Sequence, residues 1–169
     1  MENNVEPWLR GTHRELDAAV RQVVHSLEQV EEDVDRWCAG LSDAEMNARP
    51  HGLPPVAFHL RHMARSLDRL LSYAEGTQLD ESQLASLRTE MNADATTAAV
   101  MSELKAALQQ AKMRARTFSP EQYNSERGVG RKMLPTSVGS LLVHCAEHTQ
   151  RHLGQAITTA KVLLATRGS

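Results

Sequence analysis

The chain has 169 residues, 41% hydrophobic and 4% aromatic, with nine Gly and six Pro. That length suits one domain with a core of Leu, Val, Ala and Met, and so few turn residues argue against a sandwich or barrel of many short strands. A net charge of −2 excludes the bulk charge footprint of a nucleic-acid binder, no apolar run approaches the roughly eighteen residues of a membrane span, and two cysteines make no disulfide framework.

In the first predicted element, Leu16, Val20, Val23, Leu27, Val30, Val34 and Trp37 recur at helical spacing. They predict one apolar stripe on a helix of about thirty residues, stopped near Gly40. Ser42-Asp43-Ala44-Glu45 has capping-box form and predicts a short helical turn. The loop from Asn47 to Pro55 follows, and Pro54 or Pro55 suits the first turn of the next helix. That second long helix carries Val56, Leu60, Met63, Leu67, Leu70 and Ala74 and ends at Gly76. Asp80, with Gln83 three residues later, caps a third, running through Leu84, Leu87, Met91, Ala98, Met101, Leu104, Leu108 and Ala111. Its tract Asn92-Ala93-Asp94-Ala95-Thr96-Thr97 is weakly periodic and allows a kink or break. A loop from Ser119 to Leu134 leads to a fourth helix, starting near Pro135 or Thr136 and ending near Thr166. Its stripe uses Val138, Leu142, Cys145, Thr149, His152, Ala156 and Leu163, and the polar members break the pattern in the way functional positions do. Four amphipathic helices predict an all-α four-helix bundle, one domain over residues 1–169.

Five of the eight histidines fall in two clusters. The first, Phe58-His59-Leu60-Arg61-His62, lies on the second long helix. The second is His144, His148 and His152 on the fourth. Four-residue steps keep these three on one face, turning about 40° each time. His144 and His152 are nevertheless separated by roughly 12 Å along the axis, too far to share one ion. The fourth helix therefore offers one adjacent pair to a metal, either His144 with His148 or His148 with His152. A third ligand must come from elsewhere, and the first cluster is the histidine-rich candidate. Three protein ligands with an open position describe a catalytic metal rather than a structural one. An isolated His-x-x-x-His on a helix is ordinarily surface or satisfied core, so the metal expectation rests on both clusters together. Glu-x-x-His is absent, and no glutamate breaks the stripe of the first or third helix, which argues against a di-iron centre. No Glu directly follows the first histidine of a pair, so the zincin pattern is absent too.

The stretch Val56-Ala57-Phe58-His59-Leu60-Arg61-His62-Met63-Ala64-Arg65-Ser66-Leu67-Asp68 resembles the second helix of the DinB/YfiT-like superfamily. Glu147-His148-Thr149-Gln150-Arg151-His152-Leu153-Gly154-Gln155 resembles its fourth-helix His-x-x-x-His-x-Gly-Gln motif. The resemblance implies a four-helix bundle with a mononuclear metal site at one end, often in dimers. Its three ligands fall on His62, His148 and His152. His59 and His144 then become pocket or supporting groups, and Ser66 and Gln155 lie within reach of the site or a bound water. Leu153 departs from the family, many of whose members have Arg there, so an anionic ligand at that spot is not expected. No carboxylate lies one turn from a ligand on the same face, so a hydrolase's general base is not evident. Some relatives are thiol transferases that use bacillithiol or mycothiol, and a metal that activates a thiolate needs no added carboxylate.

These expectations make the chain a metal-dependent transferase of small thiols or, next, a metal-dependent hydrolase acting on a small molecule. A divalent ion is implied, Zn or Ni first, then Fe or Mn. The alternative is a non-catalytic metal-binding or stress-induced interaction protein. The opening Met1-Glu2-Asn3-Asn4-Val5-Glu6 lacks the pattern of a secretory signal, so a cytoplasmic homodimer is expected, without nucleic-acid or membrane partners. Cys145 reads as a small core residue, Gly154 as a site of close helix approach, and Glu147 with Arg151 as a surface pair. The basic segment Arg127-Gly128-Val129-Gly130-Arg131-Lys132 reads as a solvated loop, with anion binding near the site as its sharper alternative.

Overall fold

Asp17 decides where the first helix begins. In the computed structural model, its carboxylate accepts hydrogen bonds from the Ala19 and Val20 amides, so α1 runs Ala18–Cys38. The helix is 21 residues long, shorter than its apolar stripe predicts, because Leu16 lies before the cap. The described residues are 5–92 and 94–167; the opening residues 1–4, on which the signal-sequence expectation partly rests, and Ala93 of the weakly periodic tract lie outside them.

The capping box of Ser42 and Glu45 forms as its sequence predicts and opens α2, Asp43–Asn47. After the Pro54-Pro55 pair, α3 runs Val56–Ala74, and Gly76 follows at φ +88°, a left-handed position that favours glycine. The third predicted helix is two. Asp80 and Gln83 cap α4, Glu81–Arg88, and Thr96 caps α5, Thr97–Ala115. The weak tract between them is where the break falls. α4 buries none of its residues, and Leu87 and Met91 stay exposed, so this stretch of stripe never joins the core.

The connection after α5 carries a hairpin where the sequence predicts a loop. β1, Glu126–Val129, pairs antiparallel with β2, Leu134–Ser137, in the register Glu126 with Ser137 and Val129 with Leu134. Pro135 is therefore strand, and Ser137 caps α6, Val138–Thr166, a few residues later than predicted. Among the described residues the chain is thus mostly helical, with six α-helices and one two-stranded sheet. None of the helices is long and apolar enough to cross a membrane.

The long helices α1 and α3 each pack against both α5 and α6. One core lies between them, with Leu27 of α1, Leu60 and Leu67 of α3, Leu108 of α5 and Leu142 of α6 fully buried. Full burial of each such side chain contributes about 1.5–3 kcal/mol. The α3–α6 seam matters for function, because both histidine clusters lie along it.

Candidate metal centre

The α3–α6 seam brings His62, His148 and His152 together. Each offers one ring nitrogen within 4.8 Å of the others, which is close enough to hold one ion. His62 Nε2 lies 3.3 Å from His148 Nε2. The rings of His62 and His152 have centroids 4.4 Å apart, and those of His148 and His152 4.7 Å. Of the two adjacent pairs left open by helix geometry, the lower one meets the α3 cluster.

Neighbouring groups fix which nitrogens face inward. His62 Nδ1 lies 2.7 Å from Oε2 of Glu90, a carboxylate that is 4% exposed. An ionised carboxylate only accepts, so the Nδ1 proton points at Glu90 and Nε2 is left as a lone pair. Glu90 is held in turn by Arg69, whose Nη1 donates to Oε1 at 2.8 Å. On His148, Nδ1 lies 3.4 Å from the Ser66 hydroxyl, which itself donates to the Met63 carbonyl. Ser66 therefore accepts from Nδ1, and the His148 Nε2 lone pair also faces inward. Two lone pairs 3.3 Å apart repel unless a cation sits between them. That separation matches the edge of a tetrahedron of nitrogens about 2.0–2.1 Å from a zinc ion, roughly 3.4 Å. The donor set fits a divalent metal of the borderline class on its own chemistry.

His152 is engaged at Nδ1 by His59 Nδ1, 3.0 Å away, which leaves Nε2 for an ion. His59 is 2% exposed, and its Nε2 is buried without a hydrogen-bond partner among the described residues. Phe58 stacks on the His62 ring at 5.4 Å and meets His152 edge-on at 6.2 Å. Burial pushes His148 and His152 down to about 4, reinforced by the positive charge each ring would place on its neighbours. His59 is likewise pushed down to about 4, by burial first and then by His62. Neutral imidazoles are the form that binds metals. Burial alone would raise the Glu90 carboxyl, but hydrogen bonds from His62 and Arg69 outweigh it and hold Glu90 below the usual range.

The other predicted residues lie further out. His144 is half-exposed at the rim, its Nδ1 2.8 Å from Glu147 Oε2 and its ring 5.2 Å from that of His148. Gln155 is exposed on α6. Leu153 is buried and turned into the core. Cys145 is buried too, and that burial pushes its thiol up to about 12, the state of an inert core cysteine. Glu147 pairs with Arg151 as expected. Gly154 does not serve close helix approach, since a Cβ there would meet nothing within 4 Å. Arg127 of the basic segment donates to the Ala74 carbonyl at the end of α3, so it caps a helix away from the histidines.

Sequence reasoning missed Glu90 and Arg69. The expectation that no glutamate interrupts the third apolar stripe is corrected by Glu90, which sits in the turn after α4 and is buried. Signals existed for both. Glu90 lies three residues after Leu87, on the line of that stripe, and Arg69 lies seven after His62, on the same face of α3.

The family model described as the DinB superfamily matches residues 26–156, and the chain belongs to that superfamily. No curated protein matches it.

Proposed function

We propose that this DinB-superfamily chain is a metal-dependent enzyme whose ion is held by His62, His148 and His152 at one end of a four-helix bundle. The observation that carries the proposal is the 3.3 Å approach of His62 Nε2 to His148 Nε2, with a buried carboxylate on the far nitrogen of His62. A divalent ion held there would supply Lewis acidity toward a thiol or a water molecule.

We favour transfer of a small thiol, such as bacillithiol or mycothiol, over hydrolysis. Glu90 has one oxygen on His62 and the other on Arg69, so it orients a ligand and is not free to take a proton from substrate. A thiol requires no strong carboxylate base, because its free pKa of about 8.5 would be lowered further beside a bound metal. We assign uptake of that proton to His144. Its Nδ1 lies 2.8 Å from Glu147 Oε2, which leaves Nε2 as the free ring nitrogen, one helical turn from His148. Phe58 screens one side of the site from water. In this reading the chain works on a small molecule as a homodimer, with Zn or Ni as the first choices of ion. An alternative is a non-catalytic metal-binding protein in which a fourth side chain, His59 or His144, closes the coordination.

The test is metal content by mass spectrometry on untagged protein, wild type beside His148→Ala, followed by thiol-transfer assays. About one equivalent at these histidines, lost in the variant, with thiol-dependent turnover, is the expected result. Full metal content in His148→Ala would overturn the assignment. A lost equivalent with no turnover on any small thiol would leave the binding protein.

A further inference from the structure

A second group of metal-capable side chains lies on α1 and the segment before it. His13 comes from the segment before α1, and His25 and Glu28 come from α1 itself, three residues apart on one face. Each offers one donor atom within 4.8 Å of the other two. His13 Nε2 lies 2.7 Å from Glu28 Oε1, and the rings of His13 and His25 have centroids 5.5 Å apart. We propose that His13, His25 and Glu28 form a second divalent-metal site, with two imidazoles and one carboxylate tying the segment before α1 to the helix.

Three observations favour an ion over a plain ion pair. The acidic face of α1 is otherwise neutralised by Arg and Lys: Glu32 by Arg10, Glu31 by Lys112 and Asp35 by Lys105. Glu28 is the member of this face that meets two imidazoles instead. His25 is 5% exposed, although a lone ion pair between His13 and Glu28 has no need of a third, buried ring beside it. Its Nε2 lies 3.1 Å from the Thr12 hydroxyl, a contact that fixes the ring as supporting groups do around metal-bound histidines. Finally, His13 sits at φ +55°, a left-handed conformation uncommon for a residue with a side chain, and this backbone turns the ring onto Glu28. The group shares no residue with His62, His148 and His152; His13 and His25 precede the region matched by the DinB superfamily and Glu28 lies within it. Two histidines and a carboxylate suit Zn, Co or Ni rather than Ca or Mg.

Zinc itself is the probe. Equilibrium dialysis against Zn²⁺, with metal content per chain, would compare four proteins. These are the wild type, His148→Ala/His152→Ala, and that double variant carrying either His13→Gln or Glu28→Gln. Circular dichroism checks that each is folded. The expected stoichiometries are about two, about one, and close to zero for both triple variants. If the folded double variant holds no zinc, or its zinc survives both further substitutions, the second site is overturned. A wild type with one equivalent lost only on His13→Gln would support this site and overturn the first one. The two failures are therefore distinguishable.

Discussion

Glu90 Oε2 and His62 Nδ1 lie 2.7 Å apart, on the side of the ring that faces away from His148. The contact joins a turn after α4 to the middle of α3, and it does two things. It commits the His62 proton to Nδ1, and it fixes the orientation of the ring so that Nε2 faces the site. Arg69 completes the arrangement, since a buried carboxylate without a cation would favour its protonated form.

Glu90→Gln should keep the shape of the contact but remove its charge. We expect metal affinity to fall by about 10–100-fold, as for other groups that support a ligand histidine. Competition with a chromophoric chelator measures it. Glu90→Ala should also cost stability, about 3–5 kcal/mol, because it leaves Arg69 buried without its partner. An unchanged affinity in Glu90→Gln would mean that the carboxylate does not tune the site.

His59→Leu separates a supporting role from a coordinating one. The substitution removes a buried ring nitrogen that has no partner among the described residues, so stability should hold or rise slightly. Metal stoichiometry should stay at the wild-type value, while affinity drops a few-fold as His152 loses its neighbour. Loss of the metal itself would make His59 a ligand.

His144→Ala should lower kcat in thiol transfer by roughly 10²-fold or more, the usual contribution of a positioned base, with metal content unchanged. The chain has a built-in comparison in Gln155→Ala, at an exposed position on the same helix, which should leave both unchanged. Equal turnover in wild type and His144→Ala would place the proton acceptor elsewhere.

Acid should destabilise the metal-free protein in a defined window. His59, His148 and His152 are each pushed down to about 4, mainly by burial, so their neutral forms are favoured in the folded state. The unfolded chain takes up protons first, at the ordinary histidine value of about 6.5. Stability is then complete above about pH 6.5 and falls as the pH drops toward 4, where the folded rings protonate as well. Urea titrations of metal-free protein between pH 7 and 4 would show it, and ring resonances followed by NMR would assign it. A stability that does not change over that window would mean the rings are not buried as described.

Removing the metal should leave the helices intact. The core between α1, α3, α5 and α6 contains none of the three ligands, and its leucines are fully buried. Far-UV circular dichroism after chelation should therefore match the loaded protein, with Tm falling only by the binding linkage. Leu67→Ala should instead cost about 2–5 kcal/mol with metal still bound. Unfolding on chelation would make the ion structural.

The helices that carry the histidines, the capping boxes at Ser42 and Asp80, and the spacing that puts His148 and His152 on one face of α6 are all legible in the residues themselves. These are local: a cap, a glycine stop and a 3.6-residue period are written within a few residues of where they act. Spacing also limited α6 to one adjacent pair. The choice between the two pairs needed either the family resemblance or the way α3 meets α6. Glu90 and Arg69 were decided by tertiary structure alone. Each has an ordinary charged side chain in a plausible surface position, and only the packing of α4's end against α3 buries them together behind His62. The hairpin between α5 and α6 belongs with them, because its strands are four residues each and find their pairing only in each other. The same holds for His13, whose meeting with His25 and Glu28 depends on one left-handed turn that no periodicity announces.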